Sequence, residues 1–70
     1  MRNYICLFLD EHCQVTLAVI ERGTLDEVSK KVQARNKEHA GWGYEIWADG
    51  ARVDESYDCA LPPSRVHLHR

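Results

Sequence analysis

The residues of this sequence most able to bind a metal ion or act as nucleophiles are its three cysteines and four histidines. His12 directly precedes Cys13, Cys59 stands alone, and His67 and His69 alternate near the end of the chain. The spacing matches no closed zinc motif, because it contains neither a Cys-x-x-Cys pair nor two histidines one helical turn apart. We therefore predict no metal ion and no cofactor. His67, His69 and Cys59 remain as the candidates for a small metal-binding domain.

Acid and base chemistry has one candidate pair of residues. Glu45 and Asp54 face each other across a predicted hairpin, and two close carboxylates raise the pKa of one of them. On an open surface such a pair is more often solvated than catalytic. The sequence contains no Gly-rich phosphate loop and no Ser-centred elbow, and no cluster of cations adjoins Cys13 or Cys59 to lower its pKa. We predict a protein that is not an enzyme.

Length and charge narrow the class of protein further. Seventy residues form one domain, 1–70, with a core at about 3–57 and a C-terminal segment, 58–70, that forms a loop and a possible edge strand. The net charge of −2 gives no electrostatic footprint for direct nucleic-acid binding. The apolar run from Ile5 to Leu9 is too short for a membrane span or a signal peptide. We therefore expect a cytoplasmic protein with three free thiols.

The first half of the sequence predicts a hairpin followed by a helix. Tyr4–Leu9 is wholly apolar, which is typical of a strand buried on both faces, and Gln14–Ile20 alternates as a second strand. Thr24 followed by Glu27 forms a capping box at a helix start. The stripe that this helix buries consists of Leu25, Val28 and Val32. Beyond Val32 the stripe becomes polar, so we expect the helix to fray or to hold a partner there.

The second half predicts another hairpin, because Asp49-Gly50 is the dipeptide that a two-residue type I′ turn requires. In its predicted register Trp47 faces Arg52, Ile46 faces Val53, and Glu45 faces Asp54. The face that belongs against the helix consists of Tyr44, Ile46, Ala48, Ala51 and Val53. Trp42, between two glycines, is expected to plug the core under the end of the helix.

A right-handed crossover through the helix gives strand order 2-1-3-4, hence an α+β fold, ββαββ(β), with one helix on one face of a mostly antiparallel sheet of four or five strands. The uncovered face is predicted to display Tyr4, Cys6, Phe8, Ala18, Ile20, Trp47 and Arg52. Such an apolar patch is larger than a small monomer normally exposes. Either the C-terminal segment, with Leu61, Val66 and Leu68, folds over this face, or the face binds another protein.

Two segments, Thr24-Leu-Asp-Glu-Val and Tyr44-Glu-Ile-Trp-Ala-Asp-Gly-Ala-Arg-Val, resemble those of small uncharacterised bacterial and phage proteins of the ββαββ plan. The plan is also similar to that of some phage anti-CRISPR proteins, which dock on a nuclease complex without catalysis. This resemblance implies a protein-binding module, an inhibitor docking on a host macromolecular complex. The alternative is a homodimeric structural domain. The predicted partner-binding residues are Trp47, Arg52, Tyr4, Phe8, Asp49, Asp54 and Glu55, the acidic ones serving as mimics of phosphate.

Overall fold

The computed structural model of the protein describes residues 1–39 and 41–59. Its elements are β1 (Arg2–Leu9), β2 (Val15–Gly23), α1 (Leu25–Glu38), β3 (Gly43–Ala48) and β4 (Ala51–Tyr57). They form one antiparallel sheet in the order β2-β1-β3-β4. The predicted ββαββ plan and strand order are therefore confirmed. The edge strand predicted around Val66 and Leu68 lies outside the described residues.

The helix begins as the sequence predicts. The hydroxyl of Thr24 accepts the N–H of Glu27 at 3.2 Å, and the Glu27 carboxylate accepts the N–H of Thr24 at 3.1 Å, which completes the capping box. Val28 and Val32 are buried, whereas Leu25, which was predicted to belong to the buried stripe, is exposed at the start of the helix.

Polar contacts hold the last turns of α1, although the sequence suggested fraying or a partner. The guanidinium of Arg35 lies 5.6 Å from the centre of the Phe8 ring, a cation–π contact. The side-chain oxygen of Asn36 accepts the N–H of Gly43 at 3.3 Å. These contacts connect the end of the helix to β1 and to the start of β3.

The core lies between α1 and one face of the sheet. It consists of Tyr4, Cys6, Phe8, Val28, Val32, Tyr44, Ile46 and Ala48. The prediction that Tyr4, Cys6 and Phe8 lie on the uncovered face is therefore wrong. Because every residue of Tyr4–Leu9 is apolar, alternation could not tell which set faces the helix, and the other set, with Ile5 and Leu7, is the uncovered one.

The second hairpin contains a bulge that the sequence did not reveal. Its turn has positive φ at Asp49 and Gly50, as type I′ requires, and Trp47 faces Arg52 as predicted. The register then shifts at Val53, so that Ile46 faces Asp54 and Glu45 faces Glu55.

This shift overturns the predicted placements of Asp54 and Val53. Asp54 lies on the helix side of the sheet, where it accepts the Ser29 hydroxyl at 2.8 Å, so it neither pairs with Glu45 nor belongs to the uncovered face. Val53, predicted to pack against the helix, is the extra residue of the bulge and is exposed.

The link between α1 and β3 is fixed through its backbone. The N–H of Trp42 donates to the carbonyl of Leu9 at 3.3 Å, and its carbonyl accepts the N–H of Asp58 at 3.0 Å. Trp42 as a whole is 46% exposed, which contradicts the predicted core plug. Gly43 has φ +129°, and a Cβ there would collide with the carbonyl of Ser56, so only glycine fits this close approach of β3 and β4. Within the described residues, no helix is long and apolar enough to cross a membrane.

Candidate protein-binding face

The side of the sheet opposite α1 is called here the open face. Its apolar residues are Ile5, Leu7, Ala18, Ile20 and Trp47, and its polar residues at the β4 side are Glu45, Arg52, Glu55 and Tyr57. Ile5 is 48% exposed and Ile20 is 73% exposed, although both are large aliphatic residues. No element of the described chain covers them. Large contiguous apolar patches on a protein surface commonly mark sites of interaction with a partner or ligand.

A groove of about 430 Å³ runs across the open face. Ile5, Leu7, Ile20 and Trp47 form its apolar walls, while Asn3 and the Asp49 turn close one end. Its volume lies in the range of sites that hold a small ligand or a few side chains, about 300–1,000 Å³. The groove thus offers apolar contact along its length and hydrogen-bonding groups at one end.

The indole of Trp47 is held in position by its neighbours on the open face. Its Nε1–H donates to Oε1 of Glu45 at 3.0 Å. The guanidinium of Arg52 lies 6.0 Å from the centre of the indole ring, at the outer limit of a cation–π contact. A tryptophan that is fixed before binding loses little side-chain entropy when a partner packs against it.

Glu45 is the centre of the polar cluster beside the groove. Its side chain is only 12% exposed. Besides the Trp47 indole, it accepts the hydroxyl of Tyr57, and the guanidinium of Arg52 lies 3.5 Å from Oε2. Arg52 also donates to the Tyr57 hydroxyl at 2.8 Å and pairs with Glu55 at 3.2 Å. A carboxylate taken out of water is tolerated because donors surround it.

Tyr57 acts in this cluster as a hydrogen-bond donor. Burial, together with the hydrogen bond to Glu45 and the charge of Glu45, raises the pKa of Tyr57 to about 12. The phenol is therefore protonated at neutral pH and donates its proton to the hydrogen bond with the carboxylate. This arrangement positions Glu45 and Trp47; it does not provide a base near pH 7.

Cys13 and Cys59 form a disulfide, so the expectation of three free thiols is wrong. The two sulfurs lie at one end of the sheet, packed with Leu9 and Tyr57. Cys59 is therefore not available as a metal ligand, and the remaining metal candidates, His67 and His69, lie outside the described residues. The disulfide also removes the premise of the cytoplasmic prediction, because disulfides are rare in reducing compartments.

Cys6 is the free cysteine of the described chain, and it is buried under the helix. Burial raises the pKa of the Cys6 thiol to about 11, and the charge of Glu21 acts in the same direction. A thiol with this pKa is neutral at physiological pH and behaves as a small apolar core residue. In residues 1–39 and 41–59, no three side chains of the metal-ligating types lie together.

The structure brings only some of the predicted partner-binding residues together. Trp47, Arg52 and Glu55 lie together on the open face, and Asp49 lies at the end of the groove in an exposed ion pair with Arg2 at 3.5 Å. Tyr4 and Phe8 are core residues, and Asp54 lies on the opposite side of the sheet.

Sequence reasoning missed Ile5, Leu7 and Tyr57 as members of the open face. It placed Glu45 on the same side as Trp47 and Arg52, as observed, but did not include it among the partner-binding residues. The apolar character of the first strand was visible, but its orientation and the bulge in β4 were not.

No family model, no curated protein and no solved structure matches this chain.

Proposed function

We propose that the protein is a non-enzymatic binding module that docks on another protein through the groove of the open face. The observation that carries this proposal is the position of Trp47, which forms one wall of an apolar groove and is fixed by Glu45 and Arg52. Tryptophan, tyrosine and arginine dominate the energetics of protein interfaces, and all three meet on this face.

The chemistry of the groove defines the partner segment. Its apolar walls fit aliphatic or aromatic side chains, and Asn3 at one end favours a partner with a hydrogen-bonding group there. Burying one large apolar side chain contributes about 1.5–3 kcal/mol. Association costs about 4–15 kcal/mol in lost freedom, so the partner must engage Ile5, Ile20 and Trp47 together.

The acidic residues contribute less to this proposal than the sequence suggested. Asp54 is on the other side of the sheet, and Asp49 and Glu55 each pair with an arginine, Arg2 and Arg52 respectively. We therefore propose that the protein recognises its partner through the apolar groove and not by mimicking phosphates. The resemblance to anti-CRISPR proteins implies a more specific function. We propose that docking inhibits a host macromolecular complex.

The proposal is tested in two steps with groove variants. Tagged wild-type protein, the Ile5→Asn, Trp47→Ala double variant and a Val53→Asn control are first used to capture proteins from a host lysate. Val53 is exposed on β4 away from the groove lining, so its variant controls for loss of apolar surface. A captured protein is then purified and titrated. We expect the double variant to weaken binding at least about tenfold and the control to bind as wild type. Equal affinities of all three proteins would exclude the groove.

A homodimer is the second candidate function, and the outer edge of β2 favours it. In the described chain β2 pairs with β1 only, and Leu17–Ile20 contains no charge, proline or glycine. The other edge, β4, carries a bulge and the charges of Arg52, Asp54 and Glu55, which are devices that discourage edge pairing. Because each chain has one such open edge, two copies can pair antiparallel through their β2 strands. The dimer then has no free β2 edge for a third copy.

Sedimentation equilibrium separates the two candidates. If copies pair through β2, a Leu17→Lys variant is monomeric at concentrations where wild type is a dimer, because a charge on an edge strand opposes pairing. Val53→Lys, with similar exposure on β4, serves as the control and is expected to dimerise. A monomeric wild-type protein at high micromolar concentration removes the homodimer and leaves the groove proposal intact.

A further inference from the structure

We infer that the Cys13–Cys59 disulfide sets the binding competence of the groove, acting on Trp47 through Tyr57 and Glu45. This inference rests on the proposed function of the groove and names its regulation: the oxidised protein holds Trp47 in its docking position and the reduced protein releases it. A continuous set of contacts from the disulfide to the groove wall carries this inference.

The first step of this set is the packing at the disulfide. Cys13 and Cys59 are buried beside Leu9, and Tyr57 packs against this cluster. Cys59 follows the last residue of β4 by two positions, so the covalent bond to the β1–β2 turn fixes the end of β4 across the width of the sheet. Breaking this bond removes the covalent constraint at the end of β4. The pairing of Tyr57 with Gly43 and the hydrogen bond from the Asp58 N–H to the Trp42 carbonyl still hold the backbone, but the Tyr57 ring loses the fixed disulfide that it packs against.

The second step is the hydrogen bonding from Tyr57 to the groove. The hydroxyl of Tyr57 donates to Oε2 of Glu45, and the other carboxylate oxygen, Oε1, accepts the indole N–H of Trp47. Glu45 therefore bridges the two aromatic residues with its two oxygens. A displaced Tyr57 leaves Glu45 without one of its donors, and the carboxylate then turns towards water to regain solvation. That movement withdraws the acceptor of the Trp47 indole.

The turn that holds Cys13 supports the disulfide geometry independently. The Asp10 carboxylate accepts the N–H of His12 at 2.8 Å and the N–H of Gln14 at 2.9 Å. These two hydrogen bonds stabilise the turn that contains Cys13. Cys13 has φ +61°, a left-handed conformation that is uncommon for residues other than glycine. In this conformation the turn directs the Cys13 sulfur to Cys59.

The redox step itself is a thiol–disulfide exchange. A dithiol reductant attacks one sulfur, the Sγ–Sγ bond breaks, and two electrons and two protons pass to the protein. The products are the thiols of Cys13 and Cys59 and the oxidised, disulfide form of the reductant. Reoxidation reverses each of these changes.

The inference is tested by hydrogen exchange of the indole N–H groups, measured by NMR on the 70-residue chain. The chain has two tryptophans, and the exposed indole of Trp42 serves as an internal reference. We expect reduction with dithiothreitol to speed exchange of the Trp47 indole about tenfold, as for the loss of one hydrogen bond, with the Trp42 signal unchanged. A Cys13→Ser, Cys59→Ser double variant provides the same state without reductant.

Two further variants keep the test independent of global unfolding. Tyr57→Phe retains the disulfide and removes the hydroxyl, so it should also speed exchange of the Trp47 indole. Ser29→Ala removes a hydrogen bond to β4 on the helix side and should leave that exchange unchanged. Protection of the Ile46 backbone amide reports whether each variant stays folded.

Unchanged Trp47 exchange in reduced, folded protein overturns the inference, and so does unchanged exchange in Tyr57→Phe. Global loss of Ile46 protection on reduction also overturns it, because the disulfide then controls folding and not the groove alone. This readout needs no partner. Failure of the docking proposal is recognised separately, by equal partner affinities of the groove variants.

Discussion

The hydroxyl of Tyr57, at the end of β4, donates a hydrogen bond to the Glu45 carboxylate in the middle of β3. The two residues lie diagonally across the strand pair, because Tyr57 faces Gly43 and Glu45 faces Glu55. Tyr57 thus reaches from its position opposite Gly43 to Glu45, two residues further along β3. The contact joins the two ends of the open face, the disulfide at one end and Trp47 at the other.

Replacing Tyr57 with phenylalanine should destabilise the protein by about 1–3 kcal/mol, since it removes a donor from a nearly buried carboxylate and keeps the ring. Urea denaturation followed by circular dichroism measures this change. Ser29→Ala, which removes the part-buried bond to Asp54, is the matched control and should cost about 1 kcal/mol. If Tyr57→Phe costs no more than Ser29→Ala, the Tyr57–Glu45 contact is not a significant source of stability.

Alkaline pH should weaken the fold through Tyr57. The pKa of Tyr57 is raised to about 12 in the folded protein from an ordinary value of 10. The unfolded chain therefore loses this proton first, so the contribution of Tyr57 to stability is complete below pH 10 and is lost as the pH rises from 10 towards 12. Urea midpoints at pH 9, 10 and 11 measure the decline. Tyr57→Phe should show a smaller decline over the same range, and an identical slope in both proteins would contradict the assignment.

The architecture could be predicted from the sequence because its signals are local. The Thr24–Glu27 capping box and the Asp49-Gly50 turn each depend on a few adjacent residues, and the helix crossover then fixes the strand order. The bulge at Val53 has no such signature. Placing one extra residue in β4 moves every later side chain to the opposite face, which is why Asp54 left the predicted site and Tyr57 entered it.

The composition of the open face was harder to predict than its existence. A strand that is apolar at every position carries no information about which face meets the helix, so Ile5 and Phe8 exchanged places relative to the prediction. The disulfide, by contrast, could have been inferred. In strand order 2-1-3-4 the β1–β2 turn and the end of β4 lie at the same end of the sheet, and each carries one cysteine.

Two isoleucines on opposite faces of the sheet provide a direct test of this orientation. Ile46→Ala should cost about 2–5 kcal/mol, because Ile46 is fully buried between β3 and α1 and its truncation leaves a cavity. Ile20→Ala should stay within about 0.5 kcal/mol of wild type, because its side chain is mostly in water. Both values come from the same urea titration. A large loss at Ile20 would show that something covers the open face in the isolated protein.

The disulfide predicts both a thiol count and a stability change. Protein unfolded in denaturant without reductant should show one reactive thiol, Cys6, and three after reduction. The disulfide joins residues 46 positions apart, and the chain-entropy model then assigns it about 4 kcal/mol through restriction of the unfolded state. The Cys13→Ser, Cys59→Ser double variant should therefore unfold at a much lower urea concentration than the oxidised wild type. Reduced wild type is the control, since it has the same chain connectivity as the double variant and should unfold at nearly the same concentration. Three reactive thiols before reduction, or equal urea midpoints for the oxidised and reduced proteins, would contradict the pairing of Cys13 with Cys59.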